Sequence, residues 1–232
     1  MLANQTPLTI LYTASLAGRI DLLPRLYTRI RRERETLSGA SLLVDLGQSC
    51  APGTWLCEAT AGRGMLVAMD AMGYDAFHIG PRDALYTQPA LVSQVRQIVV
   101  TPFAAGPWSA SVNRAGLAIR LVNAHHLEAL LAAEGANPAD LIIGLWLDMT
   151  AQVKADYRAG QRVLLLQGAA SEDGPVLARV DVALSPEAPY ILMVSHAPLA
   201  LAPELPPDPT ITGVIEFVQG EARYVERKRG QS

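Results

Sequence analysis

The chain has 232 residues, 50% apolar, 18% charged and 6% aromatic, with net charge −3 and mean hydropathy +0.20. Disordered chains are polar and highly charged, so global disorder is excluded, and 18 Gly and 16 Pro scattered without period exclude collagen-like and coiled-coil classes. A pI near 5.8 leaves no overall basic field for nucleic acid.

The opening MLANQTPLTILYTAS has no basic segment leading into an apolar core and a small-residue cleavage site, so it does not read as a secretory signal. No apolar run reaches the ~18–20 residues that span a bilayer. Cys50 and Cys57 could close one small loop if oxidised, but two Cys in 232 residues read as ordinary reduced residues, and their spacing matches no common metal site. These features predict a soluble, cytoplasmic chain without membrane or nucleic-acid partners.

LTILYTAS (8–15) is a short, buried-type strand, closed by a turn at Ala17-Gly18. Leu22, Leu23, Leu26, Tyr27 and Ile30 recur at helical spacing and predict a helix over 22–37. Its other face carries Arg25, Arg29, Arg32 and Arg34 interspersed with Glu33 and Glu35, the pattern of a solvated surface. SLLVDLG (41–47) is a second strand, followed by a looser segment, a helix over 65–72 and a strand over 74–80. A helix over 89–97 and a strand over 98–101 come next, then a hairpin over 111–122 turning at Arg114-Ala115-Gly116. A helix over 125–134 is broken at Asn137-Pro138, and a strand over 141–146, a helix over 149–158 and a strand over 162–168 follow. Four further strands are predicted over 176–184, 190–196, 210–217 and 222–225, with a Pro-rich connector over 198–209. Helices alternating with strands and then a run of strands predict an α/β fold: a layered sandwich of two mixed β-sheets flanked by helices.

Binding groups in α/β sheets gather beyond the carboxyl ends of strands. Three such ends are distinctive here: T13-A-S-L-A-G-R-I20, L43-V-D-L-G-Q-S49 and G64-M-L-V-A-M-D-A-M-G-Y-D-A-F-H-I-G-P-R-D83. Together they resemble the metallophosphoesterase superfamily, most closely its 5′-nucleotidase and cyclic-nucleotide phosphodiesterase branch, whose members read roughly TILHTNDLHGRI, LLLDAGDS and GxAxVxAMNALGYDAxxIGNHEFD. The match covers the first 85 or so residues strongly and the rest through ADLIIGLW (139–146) and RVLLLQGAA (162–170). The resemblance implies hydrolysis by two divalent ions such as Mn or Zn, held by Asp, His and Asn, with one carboxylate bridging both.

Residue by residue, that ligand set is missing. The first Asp and His of the motif fall on Ser15 and Ala17, and the bridging Asp falls on Gln48. The Asn and His of the third motif fall on Pro81 and Arg82, while its acidic residue survives as Asp83. The later histidine positions meet Leu147 or Asp148, and then Gly168, Ala169 and Ser171. Of the four His, His78 lies in a strand body, His125 and His126 open a helix away from the strand ends, and His196 ends a late strand near the cleft. The resemblance therefore implies a single domain over 1–232 without the substrate-binding domain that usually follows, no catalytic residues and no bound metal. Two readings of Arg82 remain: pairing with Asp83 or Asp45, or binding a small phosphate-bearing anion with Ser15 and Gln48. The expected partners are such an anion, a second copy of the chain, or another protein. An active phosphoesterase with a rebuilt site and a structural or assembly protein are the competing functions.

Overall fold

A computed structural model describes residues 5–80, 83, 98–100, 108–133, 139–148, 154–158, 161–169, 176–187 and 190–231. Strand β1 (Thr6–Ala14) is buried continuously from Leu8 onward rather than on alternate residues, the signature of a strand covered on both faces. It pairs in parallel with β2 (Ala40–Asp45), and β2 continues in parallel to β3 (Ala76–His78) and β4 (Ile98–Val100). On its other edge β1 meets β10 (Val176–Leu184) and then β11 (Ile191–Pro198), both antiparallel. The result is a six-stranded mixed sheet in the order β11-β10-β1-β2-β3-β4.

The second sheet has five strands in the order β5-β6-β7-β9-β8. It begins with the hairpin β5 (Ser109–Arg114) and β6 (Leu117–Asn123), turned at Ala115 and Gly116, both with positive φ. The strands β7 (Leu141–Asp148) and β9 (Val163–Ala169) add in parallel, and β8 (Lys154–Tyr157) closes the edge antiparallel to β9.

Leu8, Ile10, Tyr12, Leu42 and Val44 of the first sheet pack against Ile119, Leu121, Ile143, Leu145, Leu164 and Leu166 of the second. Leu11 and Leu43 point the other way, onto α1 (Leu23–Glu35), α3 (Arg63–Ala71) and α5 (Pro209–Arg229). The short α2 (Trp55–Ala59) joins that layer, and α4 (Leu127–Ala133) covers the outer face of the second sheet through Leu127 and Leu130. Successive residues of a strand point to opposite faces, so each central strand feeds two apolar layers at once.

Three expectations need correction. Residues 154–157 form β8, not part of a helix, because Lys154, Asp156 and Tyr157 face solvent while Ala155 turns inward against the second sheet. The two strands expected over 210–217 and 222–225 are one 21-residue helix, α5. Asp208 caps it by accepting from Thr210 N and Ile211 N at 2.9 and 3.2 Å, Pro209 opens it, and Ile211, Ile215, Val218 and Ala222 supply the buried stripe. Finally, Cys50 and Cys57 are joined in a disulfide rather than reduced. The helix expected over 89–97 and the break at Asn137-Pro138 lie outside the described residues.

Candidate functional site

Beyond their last paired residues, β1 and β2 stay zipped together. Leu46 N donates to Thr13 O at 2.8 Å, Ser15 N to Gly47 O at 3.0 Å, Ala17 N to Gln48 O at 2.8 Å and Gly18 N to Ser49 O at 2.8 Å. The two loops therefore form one paired ledge at the carboxyl end of the sheet. Its backbone is unusual: Ser15, Ala17 and Gln48 have φ of +56°, +50° and +57°, and Gly47 has +117°. A non-glycine residue held there costs on the order of 1–3 kcal/mol, and such residues cluster at functional sites. Three of the positions that the resemblance aligns with metal ligands thus have a strained backbone. Ser15 Oγ donates to Gln48 Oε1 at 3.3 Å, so the two meet across the ledge.

The ledge is held from below and from both sides. Asp45 is fully buried; its Oδ2 accepts from Thr13 Oγ1 at 2.6 Å and its Oδ1 from Gly47 N at 2.9 Å. Burial pushes its carboxyl well above the ordinary carboxylate range, the charge of Asp83 adds to that, and the two hydrogen bonds oppose it. Tyr74 Oη donates in turn to Thr13 Oγ1 at 3.0 Å, and burial raises its phenol as well. Asp83, also buried, accepts from Ser49 N at 3.1 Å and Ser49 Oγ at 3.2 Å.

His78 locks the opposite side. Its Nδ1–H donates to Leu46 O at 2.8 Å, and its Nε2 accepts from Asn123 Nδ2 at 2.6 Å. Burial pushes the imidazole down to about 4, so the ring is neutral at pH 7. Asn123 ends β6, which ties the second sheet to the ledge. The sheets also close sterically. A Cβ on Gly168, at the end of β9, would lie 2.8 Å from Ala14 Cβ and 3.3 Å from Leu147 Cδ1. On the outer side, a Cβ on Gly18 would meet Thr54 Cγ2 at 2.5 Å and Cys57 Sγ at 2.9 Å, so the disulfide-closed loop packs directly on the first turn.

Of the residues singled out in the sequence, the structure brings Ser15, Asp45, Gln48 and Asp83 together. His196 is not with them. It pairs with Val180, which pairs with Ile10, so it stands at a register five residues before Ser15, roughly 16 Å back at ~3.3 Å per residue. There its Nε2 lies 2.8 Å from Tyr12 Oη, and partial burial lowers its pKa. Arg82 and Pro81 lie outside the described residues, as does Ser171. His125 and His126 follow β6 directly, not away from the strand ends, and their rings stand 5.4 Å from Trp146 and 5.5 Å from Trp108. Sequence reasoning missed Asn123 altogether. Its signal was an Asx residue ending a strand before a helical turn, where its Oδ1 accepts from His125 N at 3.0 Å.

The dinuclear centre that the resemblance implies needs several imidazoles and carboxylates with free lone pairs. The described donors on the ledge do not fit it: a Ser hydroxyl, a Gln amide, and two buried carboxylates already engaged by hydrogen bonds. Among the described residues, no group of three or more His, Cys, Asp or Glu is placed to hold a metal ion.

The fold is that of the calcineurin-like phosphoesterases and 5′-nucleotidases. The calcineurin-like phosphoesterase YfkN from Bacillus subtilis superimposes with a TM-score of 0.66 at 15% identity, covering 96% of this chain and 99% of that one. The 5′-nucleotidase precursor from Thermus thermophilus gives 0.63 at 13% identity over 97% of this chain, and the Haemophilus influenzae NAD nucleotidase gives 0.62 at 12% over 95%. The chain spans 59% and 61% of the length of those two nucleotidases. No family model and no curated protein matches it.

Proposed function

We propose that this chain is a phosphoesterase-fold protein without a dinuclear hydrolytic centre, which uses the ledge to bind a small anionic, phosphate-bearing ligand. The observation that carries the reading is the strained backbone at Ser15, Ala17 and Gln48, none of which is a metal-binding carboxylate or imidazole. Strain of this kind persists only where the surroundings enforce it, and here it sets the buried Ser15 hydroxyl against the half-buried Gln48 amide at the strand ends. The proposal assigns the cation that an anion site needs to Arg82, two residues beyond Gly80 in the sequence. The compartment belongs to the same proposal in revised form, since a Cys50–Cys57 disulfide favours an oxidising environment over the cytoplasm expected from the sequence.

The test combines metal analysis, turnover and binding on one preparation. Purified protein exposed to Mn and Zn is expected to retain no stoichiometric metal and to hydrolyse neither nucleoside monophosphates nor a generic phosphodiester. Titration calorimetry with inorganic phosphate and a nucleoside monophosphate is expected to show binding that weakens about tenfold or more in Gln48→Ala and Arg82→Ala. Stoichiometric metal with turnover would overturn the reading in favour of a rebuilt phosphoesterase. Absence of any anion binding would overturn the ligand half of it.

A further inference from the structure

Helix α5 buries Ile211, Ile215, Val218 and Ala222 against the first sheet's helical layer. The opposite face of a surface helix is ordinarily polar. Here it reads Gly213, Phe217, Gly220, Tyr224, at spacings of four, three and four residues. Phe217 and Tyr224 are 57% and 61% exposed, and a Cβ on Gly213 or Gly220 would meet nothing within 4 Å. Beside this stripe runs a groove of about 650 Å³ between α5 and the start of α3, lined by Ala59, Ala61, Phe217 and Tyr224. The Arg63–Glu221 ion pair, at 2.7 Å, lines it as well.

We propose that this face pairs antiparallel with the same face of a second copy of the chain. A two-fold axis between Val218 and Gln219 sets Phe217 of each copy over Gly220 of the other, and Tyr224 over Gly213. Each large ring then meets a position that has no side chain, which is the self-complementarity a two-fold interface demands. The charges agree with the same operator. Glu216 and Arg223 lie on one flank of the stripe, both exposed, and neither forms an ion pair among the described residues. The axis brings Glu216 of each copy beside Arg223 of the other, so two ion pairs close the flank while like charges on it stay apart. Aromatic side chains bury ~150–250 Å² each. Four rings, each more than half exposed, therefore offer on the order of 350–600 Å² of apolar surface, below the ~1,200 Å² of stable interfaces. The fit is to a reversible dimer that forms as concentration rises.

Sedimentation velocity from micromolar to near-millimolar concentration tests this on the full chain. The expected result is a dimer fraction that grows with concentration and an apparent Kd weakened about tenfold or more by Phe217→Ser, by Gly220→Leu and by Glu216→Arg. Combining Glu216→Arg with Arg223→Glu should restore the original Kd, because the swap recreates both ion pairs. These positions are exposed, and matching circular dichroism melts confirm that each variant is folded. A monomer at every concentration, or a swap that fails to restore association, would overturn the proposal.

Discussion

Acidifying the protein from about pH 7 to about pH 4 should remove about 3 kcal/mol of stability through His78 alone, and the His78→Asn variant should escape that loss. The imidazole lies 5% exposed between Leu46 O and Asn123, and burial lowers its pKa from 6.5 to about 4. Unfolded, the same ring takes up its proton near pH 6.5, so acid pulls the equilibrium toward the unfolded chain. The contribution is fully present above pH 6.5 and is lost as the pH falls toward 4. At about 1.4 kcal/mol per pH unit, the gap between the two values gives the ~3 kcal/mol. Asp45 carries the opposite linkage, because its pKa is raised by folding and its contribution fades as pH rises. Both proteins keep Asp45, so it cancels in their difference. An Asn at position 78 can still donate to Leu46 O but leaves Asn123 Nδ2 without its acceptor, a cost of about 1–3 kcal/mol at neutral pH. Urea unfolding of both proteins across the pH series should therefore show a gap at pH 7 that closes toward pH 4. A gap independent of pH, or a resonance assigned to the His78 imidazole titrating near 6.5 in the folded protein, would refute the reasoning.

Two further outcomes test the packing around the ledge. Gly168→Ala should destabilise by about 1–3 kcal/mol through the clash with Ala14 Cβ, which lowers Tm by roughly 3–10 °C in a chain of this size. Adding Ala14→Gly should recover most of that loss, and simple additivity of the two changes in calorimetry would show that the contact is not real. Replacing Cys50 and Cys57 by Ser should cost about 2.5 kcal/mol, the loop-closure value for so short a ring; two thiols freely alkylated in the untreated native protein would contradict the bond.

The parts of the fold that were legible are those where local pattern and tertiary environment agree. LTILYTAS and SLLVDLG read as strands because the first sheet covers both of their faces, leaving no polar alternation to confuse the pattern. Helix α5 was misread because Thr210, Ile211, Thr212, Val214 and Ile215 are β-branched, with Gly213 and Gly220 interrupting. Its true signals were the Asp208-Pro209 start and the spacing of Ile211, Ile215, Val218 and Ala222, and packing against α1 and α3 overrode the local preference. Residues 154–157 are too few to show a period, and only the edge of β9 makes them a strand. At the site, the identities of Ser15, Ala17 and Gln48 were plain in the sequence, but their positive φ was not. None is Gly or Asn, so nothing in the residue type announces a left-handed backbone.

Ala61, Ala115 and Tyr190 also have positive φ, but the ledge gathers three such non-glycine residues, Ser15, Ala17 and Gln48, on two paired loops. Three non-glycine residues with positive φ together cost on the order of 3–9 kcal/mol, comparable to the whole stability of many domains. Here the strain is enforced by many independent supports. Four backbone hydrogen bonds join the two loops, Asp45 holds Gly47 N and Thr13, and His78 grips Leu46 O. Asp83 fixes Ser49, and the disulfide-closed loop abuts Gly18. Several of these supports are buried polar groups, each costly unless satisfied. Two buried carboxylates and a neutral imidazole hold the backbone on which Ser15 meets Gln48, and that rigid support is what the anion-binding proposal rests on.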